Sequence, residues 1–355
     1  MGNTACTEVI NPSKLSRIEF TFDYAIGRGG FGIVWVVKFH GDKKYYAMKE
    51  MQKLKIASKK SILSVMNEQK LLTMLRHPFI VNMKFSFQDR DNLYLVMDLM
   101  LGGDLRYHLN QIKKFTEAQT KFFVACVLAG LEYIHVNFII HRDIKPENLV
   151  LDYRGYIRIT DFGIAKIYSK DCINDNSGTL GYMAPEVLNR ENHNQTADYF
   201  ALGVIAYEFM TGKRPYTGKN KREIKEKMFS KQVRLTKSEV PAGWSLESVD
   251  FVNKLLERKP SQRLGSGGPQ ELKNHIWLRD FDWKGLMEKK LKSPFKPKDF
   301  SNFDPRIFFD IKDENDYSID ISSMQGMFNG YYFDWRDSHS RSNETTLKLQ
   351  ARCNN

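Results

Sequence analysis

The stretch His141-Arg142-Asp143-Ile144-Lys145-Pro146-Glu147-Asn148, followed by Asp161-Phe162-Gly163, constrains this chain more than any other. Between Asp143 and Asp161 run two short apolar segments, residues 148–151 and 156–160, joined by Asp152-Tyr153-Arg154-Gly155, a turn by composition. The pattern predicts a loop, a β-hairpin and a second loop. A hairpin of that length returns the chain on itself and can bring both aspartates to one cleft. Two carboxylates so placed can divide the labour. One accepts a proton from a hydroxyl nucleophile, and the other holds Mg²⁺ on a phosphate.

These residues resemble the catalytic loop and the metal-binding loop of the eukaryotic protein kinases. The resemblance implies an α+β, bilobal protein kinase fold: a five-stranded antiparallel N-lobe with one main helix, over a mostly α-helical C-lobe. A chain of 355 residues exceeds what one hydrophobic core normally serves, which agrees with two lobes. The expected divisions are an N-terminal extension over 1–19, the N-lobe over 20–98, the C-lobe over 99–282 and a C-terminal tail over 283–355.

Upstream of the catalytic loop the residues build a roof for a nucleotide. A strand over 22–26 runs into Gly27-Arg28-Gly29-Gly30-Phe31-Gly32-Ile33-Val34, where glycines let backbone N–H groups approach phosphates. Lys49 ends an apolar run on a short strand, an unusual place for a merely solvated lysine. Residues 61–75 carry apolar side chains at helical spacing and stop before His77-Pro78, where the residue preceding proline disfavours helix. Glu68 on that helix stands at the kinase spacing from Lys49, and strands are expected over 79–87 and 93–97. By resemblance, the ATP-binding residues are Ile26, Gly27, Arg28, Gly29, Gly30, Phe31, Gly32, Val34, Ala47, Lys49, Glu68, Met97, Asp98, Met100, Glu147, Val150 and Thr160.

The resemblance also assigns the chemistry. Asp143 is the base, Lys145 sits on the γ-phosphate beside Thr179, and Asn148 with Asp161 holds Mg²⁺. Lys145-Pro146-Glu147-Asn148 is the serine/threonine form of the loop, so the implied reaction moves the ATP γ-phosphate to serine or threonine of protein substrates. Asp104, Glu147 and Glu208 match positions where basophilic AGC (protein kinase A-like) kinases hold substrate arginines, which implies basic residues before the acceptor. Leu101-Gly102-Gly103-Asp104-Leu105-Arg106-Tyr107-His108-Leu109 is similar to the same segment of the YANK group within that class. Asp175 stands where AGC kinases carry an activation-loop phosphothreonine, with Arg142 and Lys166 as its basic partners. A carboxylate is a weaker and shorter substitute for phosphate, yet a bidentate pair with an arginine remains feasible.

Further along, Thr116-Glu117-Ala118-Gln119 fits a capping box for a long helix to about residue 135. Residues 198–210 read as a nearly all-apolar, buried helix that stops at Thr211-Gly212, and Glu186 is expected to pair Arg263 inside the C-lobe. In the tail, Ser293-Pro294-Phe295-Lys296-Pro297 resembles the AGC proline-rich turn, and Asn302-Phe303-Asp304 the segment crossing the cleft. Phe328-Asn329-Gly330-Tyr331-Tyr332-Phe333 resembles the aromatic motif that docks on the N-lobe, with Tyr332 in place of a phosphorylatable Ser or Thr.

The remaining totals exclude more than they assign. Net charge is +12, but the basic runs lack the aromatics of a base-stacking platform, so a solvated surface is expected and not a nucleic-acid site. Four scattered cysteines read as reduced thiols in a cytoplasmic protein. Gly2 is a candidate myristoylation site and Cys6 a candidate palmitoylation site, which together would give membrane association. A monomer is the expectation from the resemblance. The alternative function, a catalytically silent kinase-fold scaffold, is disfavoured because Lys49, Asp143 and Asp161 are all present.

Overall fold

A computed structural model describes residues 15–168, 177–297 and 321–337. Two lobes form around the cleft that the sequence implies. The N-lobe comprises β1 (Phe20–Arg28), β2 (Gly32–Phe39), β3 (Tyr45–Gln52), α1 (Lys53–Ser58), α2 (Ile62–Met74), β4 (Met83–Gln88) and β5 (Asn92–Asp98). Period-two alternation decides which side chains face which core. On β5, Leu93 and Leu95 join the main core beneath the sheet, while Tyr94 and Val96 join a second cluster above it with Phe20, Phe39, Phe85 and Phe87. Both faces of that strand are therefore buried, as its continuous apolar composition requires.

The C-lobe opens with α3 (Leu105–Ile112) and α4 (Glu117–Val136). The capping box at the start of α4 forms as read: Gln119 N donates to Thr116 Oγ1 at 3.3 Å, and Thr116 N donates to Gln119 Oε1 at 3.0 Å. There follow β6 (Ile139–Ile140), β7 (Leu149–Leu151), β8 (Ile157–Ile159), β9 (Lys166–Ile167), α5 (Pro185–Leu188) and α6 (Thr196–Thr211). β7 and β8 make the expected hairpin, and β6 pairs β9. Gly155 in the hairpin turn has φ +85°, and a Cβ there would lie 2.0 Å from the Phe295 carbonyl oxygen, so only glycine fits. α6 is buried along nearly its whole length and stops at Gly212, whose φ of +79° supplies the left-handed cap.

Two expectations are corrected and one is extended. The strand expected over 79–87 starts only at Met83, because residues 79–81 pair elsewhere: Ile159 N donates to Phe79 O and Val81 N to Ile159 O, both at 2.9 Å. These bonds tie the N-lobe to the hairpin that carries Asp161. The helix α1 adds a second, short N-lobe helix. The sheet has six strands instead of five, in the order β1-β2-β3-β5-β4-β10, because the tail strand β10 (Phe333–Asp334) pairs antiparallel with β4. That addition covers an edge that would otherwise present unpaired N–H and C=O groups.

The tail is anchored twice. Phe295 inserts between His108, Phe115 and Phe123 at centroid separations of 5.0 Å, 5.6 Å and 5.8 Å, which fixes the proline-rich turn on the C-lobe. Phe328 and Tyr331 are fully buried in the main core, and Lys53 Nζ donates to Gln325 Oε1 at 2.7 Å while lying over the Phe328 ring. The aromatic motif therefore docks on the N-lobe, with Tyr332 half-buried at the second cluster. Asn302-Phe303-Asp304 lies outside the described residues. Among the described residues no helix is long and apolar enough to cross a membrane.

Candidate active site

The catalytic loop hangs from α6. Arg142 takes a left-handed conformation, φ +68°, which a side chain other than glycine adopts only when its surroundings enforce it. The enforcing group is Asp198, whose two oxygens accept from Arg142 N at 2.8 Å and His141 N at 3.0 Å. Burial works to raise the Asp198 carboxyl, yet hydrogen bonding from His135 outweighs it, and the group stays ionised below its ordinary range. From sequence alone Asp198 is only the first residue of an apolar helix. A carboxylate at the head of such a helix was the available signal, since a buried charge needs partners.

Held this way, the loop presents Asp143 inside a triangle of partners. Lys145 Nζ donates to Asp143 Oδ2 at 2.6 Å, and Thr179 Oγ1 donates to Asp143 Oδ1 at 2.7 Å. Lys145 also donates to Thr179 Oγ1 at 2.7 Å, closing the triangle. Asn148 Nδ2 donates to the Asp143 carbonyl at 2.9 Å and to Oδ2 at 3.1 Å. Burial pushes the Asp143 carboxyl up, but the bonds from Lys145 and Thr179 outweigh it, so its pKa lies below the ordinary value.

The hairpin joins the two candidate metal ligands. Thr160 N donates to Asn148 O at 3.0 Å, which places Asp161 one residue beyond a direct bond to Asn148. Asp161 is exposed with φ +66°, and its Oδ1 accepts from Gly163 N at 3.3 Å. Across the cleft Lys49 reaches both oxygens of Glu68, at 3.2 Å and 3.1 Å. Burial disfavours the Lys49 ammonium, but Glu68 and Asp161 together outweigh it and raise its pKa, so it is held charged. Helix α2 is tied to the second loop as well: Ser64 Oγ donates to the Gly163 carbonyl and Asn67 Nδ2 to the Ala165 carbonyl. Neither residue was found from sequence, since a polar side chain on an amphipathic helix reads as solvent-facing.

The glycine loop separates into structural and open positions. A Cβ on Gly32 would lie 1.8 Å from the Glu50 carbonyl oxygen, so sheet packing alone demands glycine there. At Gly27, Gly29 and Gly30 no atom would come closer than 3.5 Å, so packing does not explain those glycines. Arg28 ends β1, the strand that pairs Gly27 with Val34 on β2, and Val34 in turn pairs with Lys49 on β3. Lys59 holds the loop from α1's end by donating to the Gly30 carbonyl at 2.6 Å, a contact the sequence did not show.

The deeper positions come together as well. Ala47 pairs with Met97, Met100 is buried just after β5, and Val150 lies on β7 between the catalytic loop and Thr160. Ile26 and Phe31 flank the glycines, both partly buried. The Asp98 carboxylate, by contrast, is taken up by Arg158 at 2.5 Å, Asn82 at 2.9 Å and Lys84 at 3.3 Å, so that side chain serves the lobe junction.

Two further groups of expected residues behave differently. Arg142 donates to the Ile164 carbonyl, and Lys166 lies on β9, but Asp175, Gly2 and Cys6 fall outside the described residues. The three acids expected to receive substrate arginines already have partners. Asp104 caps α3 by accepting from Tyr107 N at 2.8 Å, and Glu147 and Glu208 both bind Arg106 of the same chain.

Comparison with known proteins agrees with this geometry. The protein kinase domain model matches residues 20–278. Human serine/threonine-protein kinase Sgk2 is 35% identical over 315 residues, covering 86% of this chain and 84% of its own length. The budding-yeast serine/threonine-protein kinase YPK2/YKR2 is 36% identical, over 94% of this chain and 50% of its own. Rat RAC-beta serine/threonine-protein kinase is 36% identical, over 84% of this chain and 62% of its own, so the chain spans less than two thirds of the yeast and rat enzymes. A domain match over most of the chain, with relatives of this similarity and coverage, shows that the chain belongs to the protein kinase family and is a serine/threonine kinase of the AGC group.

Proposed function

We propose that this kinase transfers the ATP γ-phosphate to protein serine or threonine with Asp143 as the group that accepts the hydroxyl proton. The observation that carries the reading is the Asp143–Lys145–Thr179 triangle, formed together with the Lys49–Glu68 pair. A carboxylate held ionised orients the hydroxyl by accepting its hydrogen bond. A weak base suffices, because the transition state of phosphoryl transfer asks little covalent chemistry of the protein. Lys145 is the cation beside the moving phosphoryl group, and Lys49 orients the α and β phosphates. Asn148 and Asp161 are the residues for Mg²⁺, which supplies charge neutralisation on the phosphates when bound with ATP. Among the described residues no group of three or more His, Cys, Asp or Glu could hold a metal alone. Mg²⁺ takes one or two carboxylates and completes its shell with phosphate and water, a demand that Asp161 with Asn148 fits.

Subfamily and regulation belong to the same proposal. The string from Leu101 to Leu109 supports placement near the YANK group. Asp175 is proposed to stand in for an activation-loop phosphate opposite Arg142. Phosphatase-treated protein should then keep its rate while Asp175→Asn lowers it, and a rate lost to phosphatase rejects the idea. Acylation of Gly2 and Cys6 would confer membrane association and is decided by the mass of the N-terminal peptide.

The reading is tested with the full chain, radiolabelled ATP and a mixture of serine, threonine and tyrosine peptides. Label should appear on serine or threonine, require Mg²⁺ and fall away in Asp143→Asn. Labelling no greater than in EDTA on every peptide would return the protein to the scaffold class.

A further inference from the structure

Arg106 lies on the first turn of α3, two residues past the capping Asp104, and reaches across to two acids far away in sequence. Its Nε donates to Glu147 Oε1 at 2.8 Å. Nη1 donates to Glu208 Oε1 at 3.0 Å and Nη2 to Glu208 Oε2 at 3.1 Å, a bidentate fork. Nη2 also donates to the Tyr182 hydroxyl, which itself donates to Glu208. Four of the five guanidinium N–H groups are thus engaged by groups of the same chain. The cluster joins four parts of the C-lobe: α3 through Arg106, the catalytic loop after Pro146 through Glu147, the segment just past Thr179 through Tyr182, and α6 through Glu208. Glu208 is 5% exposed, so its charge requires such a partner.

We propose that Arg106 is a specificity-determining residue: an internal guanidinium that occupies the Glu147–Glu208 acid pair and so removes a preference for arginine in the substrate residue that docks there. The inference rests on the kinase reading above and replaces the expectation that these acids await substrate arginines. A substrate guanidinium would have to displace one tethered in place, whose effective concentration lies around the millimolar range or above, whereas peptide substrates work at or below it. Arg106 cancels one of the two carboxylate charges and already bonds both Glu208 oxygens and Glu147 Oε1, which leaves an incoming arginine Glu147 Oε2 at most. The substrate residue that docks beside this cluster is accordingly not selected for arginine.

The test walks a single arginine through the five positions before the acceptor of an otherwise neutral peptide. kcat and KM are measured separately for the full-length wild type and for Arg106→Ala. Opening the acid pair should give the variant a gain on the order of tenfold in kcat/KM at one position, carried mainly by KM. At that same position the wild type should stay within about threefold of the neutral peptide. Millimolar guanidinium, refilling the vacated site, should erase the variant's gain and leave the wild type unchanged. Should the alanine variant be unstable, Arg106→Gln keeps a donor to Glu208 without the charge and carries the same expectation. A variant that gains at no position, or a wild type that already prefers arginine tenfold at the position where the variant gains, overturns the proposal. If the wild type labels no peptide at all, the kinase reading fails instead, so the two failures are distinguishable.

Discussion

Asp161→Asn should lower kcat by roughly 10²–10⁴-fold while the protein still folds. The substitution keeps nearly everything except the charge. Asp161 sits at φ +66°, a conformation asparagine tolerates better than other residues with a Cβ. The retained Oδ1 can still accept from Gly163 N, the hydrogen bond that ties this side chain to its loop among the described residues. The side chain is exposed, so stability should change by no more than about 0.5 kcal/mol. What is lost is a full negative charge facing Lys49 and the proposed Mg²⁺ position. The loss of Mg²⁺-dependent charge neutralisation on the transferring phosphoryl group is worth several kcal/mol of transition-state stabilisation. Raising Mg²⁺ should recover part of the rate in Asp161→Asn, because a weakened site fills at higher concentration. A variant that matches wild type at every Mg²⁺ concentration removes Asp161 from the metal site. A variant that loses its thermal transition instead shows a structural role.

The extent to which the site could be read from sequence follows from how local each interaction is. The capping box at Thr116 and the stop at Gly212 are decided within four residues, and both appear where the sequence places them. The β7–β8 hairpin is likewise local, and its turn residues alone bring Asn148 and Asp161 together. The pairing of Lys49 with Glu68 was legible through resemblance, since spacing along the chain does not disclose a contact across a cleft. The start of β4 was misplaced because Phe79 and Val81 bond to Ile159, a partner some eighty residues away whose position depends on the rest of the fold. The sixth strand was missed for the same reason: Phe333 and Asp334 become a strand only once β4 offers its edge. Arg106 is the clearest case. In sequence it is one more basic residue on a short helix, and its effect arises only when folding delivers Glu147 and Glu208 to it.

Arg263→Leu should destabilise the protein by about 3–5 kcal/mol, the usual cost of leaving one member of a buried ion pair alone. Arg263 is 0% exposed and Glu186 is 3% exposed. Nη1 and Nη2 reach the two Glu186 oxygens at 2.7 Å and 2.9 Å, and the cation lies 5.0 Å from the centroid of the Phe200 ring. The remaining donors go to main-chain carbonyls: Thr196 O at 2.9 Å, Glu257 O at 2.9 Å and Arg258 O at 3.2 Å. All five N–H groups of the guanidinium are therefore used. This makes the pair unlike a simple buried salt bridge, which apolar residues can often replace at no net cost. In Arg263→Leu/Glu186→Leu the lone carboxylate is gone, yet three carbonyls still lose their donor, each at about 1–3 kcal/mol if left unsatisfied. The double variant should thus recover only part of the single variant's loss in urea-unfolding midpoint. A double variant as stable as wild type would mean the carbonyls find other donors, and Arg263 would then lock only Glu186 rather than the junction of α5, α6 and residues 257–258.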